Sequence, residues 1–229
     1  MGAQDTQDID FEKKIRYVQE KLLEWYDKHG RKYLPWRSDS VSPFHKLVAE
    51  MLLQKTRAEN VLEIYSEFIK RYPSPRALAN EDEGKLAELL KPLGLYRNRA
   101  RNLLKLAREL VHRGIPSSAG ELEKLPGIGP YIANAFLVSA HGKCLPVVDT
   151  NVRRFVERVF SVKTKRDPRR DPETWRFVER LLPKKRCREF IWAVLDFSAL
   201  VCRAKNPDCG SCPIKNVCDY YKRAVKPSF

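Results

Sequence analysis

Three groups of residues in this 229-residue chain have the types and spacing for chemistry. Asp149 follows the apolar segment Leu145 to Val148 and precedes a helical pattern of Val152, Phe155, Val156 and Val159. In local terms it is a helix N-cap. In chemical terms, a carboxylate fixed beside a sugar can stabilise the oxocarbenium-like cation through which an N-glycosidic bond breaks, and a helix N-terminus favours the negative charge that this requires. Glu50 lies in HKLVAEMLLQKT, a helical segment otherwise rich in apolar residues. There a carboxylate is either an ordinary surface group on the outer face or a buried acid with a task. The third group is Cys202, Cys209, Cys212 and Cys218, spaced C-x6-C-x2-C-x5-C. Four thiolates so close in sequence suit a zinc ion or an iron–sulfur cubane, and only one CxxC pair is present where structural zinc sites more often show two.

A fourth feature concerns backbone rather than side chains. In LPGIGPY, Leu125 to Tyr131, two glycines permit tight geometry with positive φ, and Pro130 suits the first turn of a following helix. The amides of Gly127, Ile128 and Gly129 then face outward at a helix N-terminus, where donors and dipole together favour a phosphate. Ser118 and Glu121 have the form of a capping box, opening a short helix expected to end at Leu125. Arg97, Arg99 and Arg101 are either phosphate ligands or a wet helix face, and the charged run KTKRDPRRD, 163–171, reads as an exposed connection able to touch a nucleic acid backbone.

The elements that must hold these groups are helical. Apolar residues recur at helical spacing almost throughout, as in Ile15, Val18, Leu22 and Trp25 or Leu103, Leu106, Leu110 and Val111, and no run alternates as a strand. Glycines and prolines punctuate these segments, so the expectation is an all-α protein of about ten short helices. The formal charge of +15 combined with 43% hydrophobic residues describes a folded protein whose partner is a polyanion. No segment has the character of a signal peptide or the length of a membrane span, so a cytoplasmic protein working on chromosomal DNA is expected. In that reducing compartment the six cysteines are not expected to form disulfides, and Cys144 and Cys187, outside the cluster pattern, are expected to be ordinary buried residues.

From Leu34-Pro35-Trp36-Arg37 through the cysteines to Asp219-Tyr220-Tyr221, the chain resembles the helix-hairpin-helix DNA glycosylases of the endonuclease III superfamily. LPGIGPYIANA is similar to the family's hairpin, VVDTNV follows at the family's spacing, and the cysteine pattern matches its [4Fe–4S] loop. The resemblance implies two helical lobes, one from residues 1–30 with 145–229 and one from 31–144, meeting in a cleft with Asp149 at its mouth. It makes Asp149 the catalytic aspartate, Asn151 the residue that orients it, and Glu50 the acid that protonates or positions the departing base, directly or through water. The cluster's implied role is structural, with Arg203, Lys205 and Lys215 facing DNA.

Gln54, Leu95 and Tyr96 lie in LLQKT and LGLYRNRA, which resemble the two wedge loops that fill the gap left by an extruded base. Bifunctional relatives carry lysine at the position of Tyr131, and a phenol cannot form the Schiff base that cuts the strand. The implied activity is therefore base removal without strand cleavage, acting as a monomer on double-stranded DNA containing a mismatch. Adenine-DNA glycosylases share LPWR, Glu50, the hairpin and Asp149. LGLYRNRA and LDFSALVC look more like the archaeal-type mismatch glycosylases that remove thymine or uracil opposite guanine. A cluster-bearing DNA-binding module without enzymatic activity is the remaining alternative.

Overall fold

Proline and short polar caps begin many of the helices. Pro43, Pro75, Pro130 and Pro172 each occupy a first helical position, where the missing N–H costs nothing. Ser42, Ser74, Asp82, Ser118 and Asp171 each accept a hydrogen bond from a backbone N–H three residues on. The computed structural model describes residues 3–165, 167 and 171–225. Among them are eleven α-helices and no strand: α1 (Ala3–His29), α2 (Pro43–Leu52), α3 (Ala58–Arg71), α4 (Pro75–Ala79), α5 (Glu83–Leu90), α6 (Tyr96–Arg113), α7 (Ala119–Leu122), α8 (Pro130–His141), α9 (Thr150–Phe160), α10 (Pro172–Arg180) and α11 (Cys187–Leu200). The helix opened by Ser118 ends at Leu122 rather than Leu125, because the chain then turns through bonds from Leu125 N to Leu122 O and from Ile128 N to Leu125 O. No described helix is long and apolar enough to cross a membrane.

The chain folds as two units, one made of Met1–Arg31 with Cys144–Phe229 and the other of Lys32–Lys143. In the first, α1 and α9 both pack on α11. Val18, Leu22, Val156, Phe155, Phe190 and Phe197 are fully or almost fully buried there. The buried Asp196 of α11 holds the end of the α1 segment, accepting from the Arg31 N–H and its Nε, each at 2.8 Å. In the second unit α2 packs on α8, and α4 and α5 lie along α6, burying Leu47, Leu52, Phe68, Leu106 and Phe136. Of the 163–171 run, Arg166 and residues 168–170 lie outside the described residues. Asp171 at its end is buried, accepting from Thr174 Oγ1 and Lys165 N, each at 2.6 Å.

Cys144 and Cys187 are not two separate buried thiols. They form a disulfide with Cα atoms 5.6 Å apart, and Cys144 is exposed. The bridge closes a loop of 43 residues that contains α9 and α10, ties the strand-like entry to Asp149 to the start of α11, and corrects the expectation of reduced cysteines. Folding brings the two backbone positions within bridging range, a proximity that spacing alone cannot reveal.

Candidate active site

In the first unit the candidate site begins where the extended segment 145–148 meets α9. Asp149 is the N-cap, as its local setting suggests. Its Oδ1 accepts from the backbone N–H groups of Asn151 and Val152 at 2.9 and 2.7 Å. Its Oδ2 accepts from Asn151 Nδ2 at 2.7 Å. Three donors at a helix N-terminus thus converge on one half-buried carboxylate, an arrangement that holds its orientation.

The chain of contacts runs further than the sequence suggests. Arg154, one turn beyond Asn151, donates to Asn151 Oδ1 through both terminal nitrogens, at 3.2 and 3.1 Å. Its Nε and Nη2 also donate to the carbonyls of Cys202 and Ser198, at 2.9 and 2.6 Å. Arg158, another turn on, donates to the carbonyls of Arg203 and Ala204 at 2.7 and 3.1 Å, and its Nη1 lies 3.6 Å from Cys202 Sγ. Residues 151, 154 and 158 lie on one helical face, so their spacing was a readable signal. What they would hold was not.

Cys202, Cys209, Cys212 and Cys218 are free thiols lining a single small cavity. Burial, reinforced by the neighbouring cysteines, pushes the Cys212 thiol up to about 12. A metal must therefore displace a tightly held proton. Among the described residues no three His, Cys, Asp or Glu groups converge closely enough for a single ion. One tetrahedral zinc with bonds of about 2.3 Å needs its sulfurs about 3.8 Å apart. Four thiols around one cavity fit a group that takes soft sulfur ligands.

In the second unit Glu50 sits in the last turn of α2, 8% exposed. Burial raises its carboxyl to about 7, with nearby Arg37 pulling the other way. That value leaves it able to hold and release a proton at neutral pH. The surface alternative for Glu50 does not apply.

The hairpin differs in two details from its sequence reading. Gly127 has φ of 79°, but Gly129 is extended at φ −108°, so only the first glycine is required by backbone conformation. A Cβ on Gly127 would lie 3.0 Å from Met51 Cε, whereas one on Gly129 would meet nothing within 4 Å. Ile128 is turned inward: its side chain is 6% exposed and its N–H is spent on Leu125 O at 3.2 Å, so neither is offered to DNA. The N–H groups of Gly127 and Gly129 find no acceptor among the described residues, and they remain the hairpin's donors.

Tyr131 is half-buried at the second position of α8. Gln54 is exposed and its Nε2 donates to Gly127 O at 3.2 Å, joining its loop to the hairpin. Leu95 is 60% exposed with φ of 51°, an uncommon state for a branched residue, and Tyr96 opens α6 beside it. Arg97 is exposed, its guanidinium 5.9 Å from the Tyr96 ring, and Arg101 is exposed near Glu83. Arg99 is neither a phosphate ligand nor a wet face. It is buried, and its guanidinium is occupied by the protein's own oxygens.

Residues 48–180 match the HhH-GPD superfamily of base excision DNA repair proteins, and residues 202–218 match the iron–sulfur binding domain of endonuclease III. The chain is 41% identical to a thymine-DNA glycosylase of Aeropyrum pernix over 91% of its own length and 96% of that protein. It is 43% identical to a thymine/uracil-DNA glycosylase of Pyrobaculum aerophilum, over 88% of its own length and 90% of the relative. A solved thermostable thymine-DNA glycosylase superposes with a TM-score of 0.86 at 29% identity, covering 93% of this chain and 99% of that one.

Proposed function

The chain belongs to the HhH-GPD superfamily of base excision DNA repair proteins and is a DNA glycosylase, and on that premise we propose that it removes thymine or uracil mispaired with guanine and leaves the strand intact. Two carboxylates held in opposite ways carry this reading. Asp149 is held in one orientation by three donors, while Glu50 is buried without a hydrogen-bond partner among the described residues and is raised to about 7. Such a division of environments assigns a charge stabiliser and an acid.

In the proposed reaction the C1′–N bond breaks and its electron pair leaves with the base. The Asp149 carboxylate, aimed by Asn151, stabilises the sugar cation, and Glu50 protonates the departing pyrimidine directly or through water. Water then adds to C1′. With Tyr131 in place of an amine, no Schiff base forms and no lyase step follows. The open amides at Gly127 and Gly129 bind a backbone phosphate, and Gln54, Leu95 and Tyr96 fill the space of the extruded base. Arg97 stands beside them for a further phosphate contact. The four cysteines would hold a [4Fe–4S] cluster, which supplies folding energy to the loop 202–218 rather than bond chemistry. The protein acts as a monomer.

The test is excision from duplexes carrying G·T, G·U, A·8-oxoguanine and thymine glycol, each run with and without alkali. Release from G·T and G·U with strand breaks only after alkali is the expected result. Adenine release without thymine release overturns the substrate. Strand cleavage without alkali that disappears on changing Tyr131 overturns the monofunctional reaction.

A further inference from the structure

Arg99 is 9% exposed, yet among the described residues no carboxylate pairs with it. Its partners are oxygens from two stretches of chain, 51–56 and Gly94. Nη1 donates to the carbonyls of Met51 and Leu52, at 3.1 and 3.0 Å, which are unsatisfied acceptors in the last turn of α2. Nη2 donates to Gln54 O at 2.6 Å and to Thr56 Oγ1 at 2.5 Å. Nε donates to Gly94 O at 2.9 Å. Thr56 Oγ1 in turn reaches Gln54 O at 3.3 Å and Leu93 O at 3.4 Å. A single planar cation thus joins the loop 53–57 to the loop 94–95.

Both loops carry a side-chain-bearing residue in left-handed backbone, Lys55 at φ 54° and Leu95 at φ 51°. Such residues persist only where surrounding contacts over-determine them, and they gather at functional sites. Both loop tips are exposed, and Leu95 presents an apolar side chain to water. A buried cation without a counter-ion is costly to desolvate, and burial does lower the pKa of Arg99. The carbonyl dipoles offset that cost only while both loops keep their positions, so the charge and the loop geometry depend on each other.

We propose that Arg99 is a positioning residue that locks the Gln54 loop and the Leu95 loop into one rigid two-pronged wedge, so that both prongs enter the duplex together and base extrusion takes place before it can re-pair. The inference rests on the assignment of these loops to extrusion. The clamp touches neither sugar nor base. It therefore serves the opening of a base pair and not the cutting of the glycosidic bond.

The experiment uses the full chain with Arg99→Lys, which keeps the charge but cannot span both stretches, and Thr56→Val, which keeps shape and removes the shared hydroxyl. Single-turnover release of uracil is measured from a G·U duplex and from a duplex with the same uracil opposite a tetrahydrofuran abasic analogue, where no pair needs opening. For Arg99→Lys, release from G·U is expected to fall about tenfold or more and release from the unpaired uracil by less than about twofold, with Thr56→Val in the same direction and smaller. A merely structural role lowers both substrates alike. An equal loss on both, or no loss on G·U, overturns the proposal.

If the parent protein releases uracil from neither duplex, the glycosylase reading fails on its own. The clamp is then read from 2-aminopurine fluorescence beside a G·T mismatch. A rise on binding of the parent that Arg99→Lys lacks supports it, whereas equal signals, or no rise with the parent, overturn it.

Discussion

The two units solve the problem of fixing a loop in different ways. All six cysteines lie in the unit formed by residues 1–31 and 144–229, and none lies in the unit 32–143. In the first, a disulfide, four clustered thiols and the arginines of α9 hold the segments around Asp149 and residues 202–218. In the second, Arg99 joins two exposed loops through carbonyl dipoles and the Thr56 hydroxyl. A disulfide fixes its segments covalently, whereas Arg99 fixes its loops by five directional hydrogen bonds that hold only while all the acceptors keep their places. The proposed stabiliser of the sugar, Asp149, sits on the cross-linked unit, and the proposed wedge sits on the other. Reductants and chelators are therefore expected to act on one half of the chain.

Stripping the metal, or making Cys212→Ser, is the largest test of that contrast. Structural metal binding is worth on the order of 10 kcal/mol of folding energy, so melting should fall by well over 10 °C. Hydrogen exchange should rise in α9 and α11 while α2, α6 and α8 keep their protection. Loss of protection in both units alike would break the contrast.

Opening the disulfide, by reduction or by Cys144→Ser, should remove about 4 kcal/mol, the chain-entropy expectation for a loop of 43 residues. Melting of the same protein with and without reductant measures it, and an unchanged midpoint would show that the bridge adds nothing to the first unit. Asp149→Asn should reduce base release by about 10³-fold, or about 4 kcal/mol, by weakening charge stabilisation in the transition state. Its melting temperature should change little, because asparagine is also an effective N-cap. A large loss of stability would instead make Asp149 a structural cap.

The smallest expected effect belongs to Glu50→Gln, at roughly 10²-fold in rate. A group acting as an acid works while protonated, so the parent's rate should decline as pH rises through about 7, and the variant should lose that limb. Stability of the parent should fall over the same pH range, although the substitution affects it in the opposite sense to the rate. The fold raises the Glu50 carboxyl from 4.5 to about 7, so the stabilisation linked to its proton is complete below 4.5 and lost as pH rises through 7. Glutamine escapes that loss and should raise the melting temperature at pH 8 but not at pH 4. A pH-independent difference would deny Glu50 its raised value.

Local features were legible in the sequence because they depend on a few neighbouring residues. Pro130 opens α8, Asp149 caps α9, and Gly127 takes positive φ where a side chain would meet Met51. The helical class follows from apolar spacing, and the spacing of the last four cysteines identifies a cluster loop that the iron–sulfur domain match also covers. Gly129 and Ile128 were misread because a GxG turn specifies that the chain reverses, not which amide or side chain ends up inside.

Tertiary structure alone decided the remaining features, and each of them spans a long stretch of chain. Arg99 looked like one of three surface arginines until its partners 43 to 48 residues away enclosed it. Cys144 and Cys187 looked like spare thiols until folding brought their Cα atoms to 5.6 Å. Arg154 shared a helical face with Asn151 and Arg158, but nothing in the spacing showed that it links the cap of Asp149 to Cys202, 48 residues on. A capping bond or a ligand spacing is set by covalent geometry over a few residues, so sequence suffices for it. A buried cation's partners, a disulfide and a helix-to-loop tie depend on which helix faces pack together, and only the assembled core of each unit determines that.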